Sequence, residues 1–169
     1  AQDGGALVSW IERTGAGAFA FPTAVPTGTA YEVTVRTQPS NPHQTCTVTR
    51  GTGTVRDAHV TDVAIDCRTD AYTIGGTVSG LLGSGLVLQN NGGDDLAIAT
   101  NGEFSFPSPI ASGATYSVTV KTQPAGPAQS CGIANGAGVV GSADVTNVTI
   151  TCATGTFTIG GAVTGLQGS

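Results

Sequence analysis

The chain has 169 residues, of which 26 are glycine and 26 threonine; only 10% are charged, and the formal net charge is −5. At 39% hydrophobic and a mean hydropathy of +0.14, it lacks the low hydrophobicity and high net charge of disordered chains. A single lysine and no methionine exclude the Ala/Glu/Lys/Leu-rich composition of coiled coils and long helices. An acidic balance, with a pI near 4.6, argues against nucleic acid and anionic lipid, both of which require basic patches. No apolar run is long enough for membrane insertion as a helix.

Four segments recur at a constant offset of 85 residues. Phe19-Ala-Phe-Pro returns as Phe104-Ser-Phe-Pro, and Tyr31-Glu-Val-Thr-Val-Arg-Thr-Gln-Pro as Tyr116-Ser-Val-Thr-Val-Lys-Thr-Gln-Pro. Val60-Thr-Asp-Val-Ala-Ile-Asp-Cys returns as Val145-Thr-Asn-Val-Thr-Ile-Thr-Cys, and Tyr72-Thr-Ile-Gly-Gly as Phe157-Thr-Ile-Gly-Gly. Residues 19–84 overlay 104–169 without a gap, and 33 of those 66 positions are identical, which excludes coincidence. A period of this length is a domain rather than one turn of a solenoid.

In chain order, the second copy shows apolar–polar alternation bounded by Gly, Pro and Asn, the pattern of half-buried strands. Strands are predicted over Tyr72–Ser79, Gly85–Gln89, Leu96–Thr100, Phe104–Phe106, Thr115–Thr122, Ser130–Ala134 and Asp144–Cys152. Turns are predicted at Asn90-Asn-Gly-Gly, Asn101-Gly and Gln123-Pro-Ala-Gly-Pro. About seven short strands with a turn every 8–12 residues describe a β-sandwich. The fold class expected is therefore all-β, with two tandem Ig-like sandwiches.

The cysteines Cys46, Cys67, Cys131 and Cys152 are spaced by 21 residues within each copy. Four cysteines allow three connectivities, and the repeat selects one disulfide per copy, Cys46–Cys67 and Cys131–Cys152. A zinc site would require short Cys-x₂₋₄-Cys spacing or adjacent His, which is absent here, so no metal or other cofactor is expected. Disulfides point to an extracellular location. Ala1-Gln2-Asp3 has no basic n-region or apolar h-region, so a mature or excised segment is expected. Arg68–Ala71 is read as a four-residue linker.

Asn101-Gly-Glu-Phe-Ser-Phe followed by Ser112-Gly-Ala-Thr-Tyr-Ser-Val-Thr-Val resembles the Gly-x-Phe…Gly-x-Tyr pattern of transthyretin-like and Cna-B-like sandwich repeats. With Gly75-Gly-Thr-Val-Ser-Gly-Leu, Tyr116–Pro124 and Val145–Cys152, nearly the whole chain resembles the Gly/Thr-rich tandem Ig-like repeats of bacterial secreted surface proteins. The resemblance implies a tandem array on a bacterial cell surface. It carries over no catalytic residue.

The copies are out of phase with the ends of the chain. Residues 1–69 read as a sandwich missing its first strand, opening at Ala1-Gln-Asp-Gly-Gly opposite Gln89-Asn-Asn-Gly-Gly. Residues 70–155 read as a complete sandwich, and 156–169 as the first strand of a further repeat. At a period of two, this orphan strand presents Phe157, Ile159, Gly161 and Val163 on one face, with Leu166 beyond. The expected partner is a second copy of the chain: the tail of one molecule completes the first domain of the next by donor-strand complementation, giving a head-to-tail homopolymer. The alternative is a stalk or adhesion module cut from a longer array that binds a surface glycan or protein.

The remaining polar residues assemble no catalytic set. His43 and His59 align with Ala128 and Asp144, and with no Gly-x-Ser-x-Gly elbow they are expected as surface-loop residues. Asp94-Asp95 is read as a hairpin turn rather than a Ca²⁺ loop, and Asp57, Asp62 and Asp66 as solvent-facing rather than as a glycosidase pair. Lys121 aligns with Arg36, which excludes a repeat-wide lysine cross-link. Trp10, the single tryptophan, is read as a core or inter-domain plug, with an exposed contact for a sugar or partner as the alternative.

Overall fold

The structure, a computed structural model, describes residues 9–168. The Ala1–Gly5 segment opposite Gln89–Gly93, and Ser169, lie outside the described residues. Among the described residues no helix occurs, so none is long and apolar enough to cross a membrane. The chain divides into two compact units: residues 1–37 with 46–66, and residues 38–45 with 67–169.

The second unit is built from β5 (Ala71–Tyr72), β6 (Ile74–Ser79), β7 (Leu86–Asn90), β8 (Asp94–Ile98), β9 (Gly102–Ser105), β10 (Ile110–Ala111), β11 (Thr115–Thr122), β12 (Gln129–Ala134), β13 (Ala137–Val139) and β14 (Val145–Thr154). They form two four-stranded sheets, ordered β13-β11-β7-β8 and β12-β14-β6-β9, with β5 and β10 pairing at the side. Ile74, Val78, Val148 and Ile150 from one sheet meet Leu86, Leu88, Tyr116 and Val118 from the other in a single apolar cluster, the arrangement of a β-sandwich.

The predicted strands recur with shifted ends. β8 starts at Asp94 because the β7–β8 turn closes tightly at Asn91 and Gly92, both at positive φ, and pairs Asn90 with Asp94. The turn after Ile98 is anchored by Asn101, whose side chain accepts from Leu81 N at 2.7 Å and donates to Leu81 O at 2.9 Å. β13 escaped the sequence reading because its Ala-Gly-Val has no apolar alternation. Its place is set instead by Gly138, where a Cβ would lie 2.9 Å from the Tyr116 ring.

β6 is one of the two interior strands of its sheet. It pairs in parallel with β14, with Val148 opposite Gly76 and Ile150 opposite Val78, and antiparallel with β9, with Gly76 opposite Phe104. Gly75 and Gly76 allow this close fit: a Cβ at Gly75 would collide with the Phe104 carbonyl oxygen, and one at Gly76 with that of Val148. The Cys131–Cys152 disulfide joins directly opposite residues of β12 and β14. Cys46 and Cys67 are also disulfide-bonded, and no cysteine is free.

The first unit repeats only part of this plan. β1 (Ala30–Glu32) pairs with β3 (Thr52–Thr54), and β2 (Gln44–Thr49) with β4 (Ala64–Thr69); of the latter pair, residues 46–49 and 64–66 belong to this unit. The β1–β3 register, Ala30↔Thr54 and Tyr31↔Gly53, is that of β11–β13 moved by 85 residues. Among the described residues of this unit, Cys46 alone is fully buried.

The second unit's packing sets one expectation. Ile74→Ala removes a fully buried side chain and costs about 2–5 kcal/mol. Ile159→Ala, the same change in the repeated motif at an exposed position, stays within about 0.5 kcal/mol. Urea unfolding of the two variants below any assembly concentration checks both.

Candidate functional site

Two features stand out from the fold: an exposed apolar motif at residues 157–166, and a first unit in which Phe21 and Ile65 are partly bare.

The motif Phe157-Thr-Ile-Gly-Gly-Ala-Val-Thr-Gly-Leu is the repeat of β5–β6. In the second unit Ile74 is 0% exposed, whereas its counterpart Ile159 is 104% exposed. Phe157, Val163 and Leu166 are exposed as well, and residues 156–168 form no strand. Gly160 and Gly161 have nothing within 4 Å of a built Cβ. All five residues singled out in the tail by sequence therefore lie together on an unpaired segment.

The first unit shows the reciprocal pattern. Ile65 is 40% exposed where Ile150 is 0%, and Phe21 is 36% exposed where Phe106 is 1%. β4 is also shorter than β14. Within β14, Thr149–Thr154 pair with β12, but Val145 and Val148 pair only with β6. β4 begins at Ala64, the counterpart of Thr149, and residues 60–63 form no strand. β9 has β6 as its partner in the sheet, and residues 17–20, its counterpart, form no strand either. What the first unit lacks among its described residues is the pairing that β6 supplies in the second.

Sequence reading missed a polar cluster in the second unit. His43 Nδ1 lies 2.7 Å from Asp70 Oδ2 and 3.0 Å from the Tyr72 hydroxyl. Thr45 Oγ1 donates to Asp70 Oδ1 at 2.9 Å. The His43 amide donates to Ser112 Oγ at 2.9 Å, and the Ser112 amide to Asp70 O at 2.8 Å. His43 is thus a half-buried, partnered side chain rather than a free loop residue. Asp70, read as linker, is its acceptor. A signal was present in the repeat: His43, Asp70 and Tyr72 become Ala128, Gly155 and Phe157 together, so three linked groups are lost at once. The hydrogen bonds from His43 and then Thr45 hold the Asp70 carboxyl below its ordinary range. Partial burial, then the charges of Asp70 and Asp144, push the Tyr72 hydroxyl up.

The other sequence candidates are dispersed. Asp95 pairs with Lys121 and accepts from Gln89 Nε2 at 2.6 Å, and these contacts hold its carboxyl low. Asp94 accepts from the Ser108 amide at 3.3 Å. Asp62 is 4.0 Å from Arg50 at the surface, and Asp57 accepts weakly from Thr27 at 3.5 Å. Trp10 is 65% exposed, with the Arg36 guanidinium 5.9 Å from its ring centroid, so it is no core residue of its unit. Among the described residues no three His, Cys, Asp or Glu side chains group around a common point.

Comparison with protein-family models, with curated proteins and with solved structures finds no match.

The cluster sets a pH expectation. Because Asp70 titrates lower when folded, its contribution is complete above its ordinary value and is lost as pH falls through the lower folded value. The urea midpoint of the second unit is expected to drop more steeply below about pH 4 in the parent chain than in Asp70→Asn, which lacks the titrating carboxyl. Parallel titrations from pH 7 to pH 2 check this.

Proposed function

We propose that this chain is the structural subunit of an extracellular filament or surface fibre, assembled head to tail. The C-terminal segment Phe157–Leu166 of one molecule adds as a strand to the first unit of the next. The observation that carries this reading is one motif in two states: buried at Ile74 and Val78 and bare at Ile159 and Val163, in a chain whose first unit exposes the matching core residues Phe21 and Ile65.

Covering Phe157, Ile159 and Val163 supplies about 1.5–3 kcal/mol each before the tail's ordering is counted. Ordering the tail opposes this by about 1–2 kcal/mol per residue fixed, so new backbone pairing has to accompany the burial. Strand addition provides both together. A head-to-tail contact uses two different surfaces and leaves one of each free, so it propagates into a linear polymer unless the rotation closes a ring.

Two disulfides support an extracellular setting, where covalent cross-links replace part of the core that a small domain cannot build. The Ig-like tandem architecture and a bacterial surface location follow the resemblance of the repeats. A second reading, a stalk or adhesion module contacting a glycan or protein, rests on the exposed Trp10 and its Arg36 neighbour.

Negative-stain electron microscopy of the purified 169-residue chain beside one ending at Gly155 tests the assembly. Filaments from the full chain and short particles from the truncated one are expected. Short particles from both would overturn the polymer reading and leave the stalk reading standing.

A further inference from the structure

We infer that the tail occupies one specific seat in its neighbour: between β4 and residues 17–20, parallel to β4 and antiparallel to 17–20, with Gly161 opposite both Val63 and Phe19. This inference rests on the strand-exchange reading and adds the acceptor residues, the direction and the register.

The second unit supplies the geometry. There β6 runs parallel to β14 with Gly76 opposite Val148, Thr77 opposite Thr149, Val78 opposite Ile150 and Ser79 opposite Thr151. Moved by the repeat offset, these become Gly161 opposite Val63, Ala162 opposite Ala64, Val163 opposite Ile65 and Thr164 opposite Asp66. On the other side Gly76 faces Phe104 and Thr77 faces Glu103, which become Gly161 facing Phe19 and Ala162 facing Ala18.

Three observations favour this seat over any other edge of the first unit. β4 loses its strand character over residues 60–63, the stretch whose counterpart in β14 is paired by β6. Ile65 and Phe21 are partly bare where Ile150 and Phe106 are covered. The tail carries glycine at the two positions where the seat admits no side chain. A Cβ at Gly76 would collide with the Val148 carbonyl oxygen and lie 2.5 Å from its carbon. At Gly161 the same atom meets open space in the free chain. Nothing among the described residues requires glycine there, whereas the seat demands it.

Register matters because a one-residue slip turns Ile159 and Val163 outward and brings Ala162 against the backbone. The parallel direction also separates this seat from generic edge pairing, since antiparallel pairs outnumber parallel ones two- to three-fold.

The test compares Gly161→Val with Ala162→Val in the full 169-residue chain. Circular dichroism and sedimentation of dilute protein check that each monomer folds as the parent does, and electron microscopy reads assembly. The inference expects Gly161→Val to lower filament yield at least ten-fold while Ala162→Val, placed on the outward face, polymerises like the parent. If both variants polymerise normally, or if Ala162→Val also fails, the register is overturned and the strand-exchange reading stands on the truncation result. If the parent chain forms no filaments, that reading falls first and this inference with it. A second measurement fixes direction. With no free cysteine in the chain, Ala18→Cys/Ala162→Cys filaments treated with a short bis-thiol reagent are expected to give a non-reducing ladder. Val25→Cys/Ala162→Cys filaments are expected to give none, and the reverse result overturns the seat.

Discussion

The parallel pairing of β6 with β14 is the contact on which the second unit depends. β6 sits between β14 and β9, so it satisfies backbone groups on both neighbours while Ile74 and Val78 fill the space between the sheets. Without it, the inner edges of β14 and β9 would each expose a row of unpaired amides and carbonyls, and the cluster around Phe106 and Ile150 would open on one side. The first unit shows what such a sheet looks like when that strand is not among its described residues. The β1–β3 ladder persists in its repeated register, and β2 still pairs with β4. The segments that would lean on a central strand, residues 17–20 and 60–63, form no strand at all.

Glycine gives this arrangement its specificity. Gly75 and Gly76 lie where the backbones of β9 and β14 approach too closely for a Cβ, and Gly138 and Gly53 lie beneath the rings of Tyr116 and Tyr31. A glycine inside a strand weakens it by loss of packing and gain of chain entropy. Here the loss is offset by neighbours that come closer than a side chain would permit. The same chemistry makes residues 156–168 a poor strand by themselves, since Gly160 and Gly161 keep the intrinsic propensity low.

Period-two alternation was enough to locate β6, β7, β11, β12 and β14, because each places apolar residues on one covered face. It failed for β13 and β10, two or three residues long, whose positions come from tertiary contacts rather than pattern. The tail was legible only through the repeat; nothing in Phe157–Leu166 alone separates it from a buried strand. The His43–Asp70–Tyr72 cluster was hidden for the opposite reason. Each residue looked ordinary in its own segment, and only the fold brings residue 43 to residue 70. The repeat nevertheless marked it, since the three positions change together 85 residues further on. Trp10 shows the limit of composition: a lone tryptophan reads as core, yet this one is 65% exposed beside the Arg36 guanidinium.

Exposed strand edges invite unspecific pairing, and proteins ordinarily blunt them with charge, proline or bulges. Residues 156–168 contain no charged residue and no proline, although they carry four exposed large apolar side chains. A solvent-facing segment under no other demand would be expected to carry gatekeeping charges. β11, by contrast, carries Lys121, paired with Asp95 of β8 across their sheet. The absence of such protection in the tail agrees with a segment destined for cover. In the proposed strand exchange its glycines are the selective device, since they would admit it to a seat closed to other alternating apolar strands.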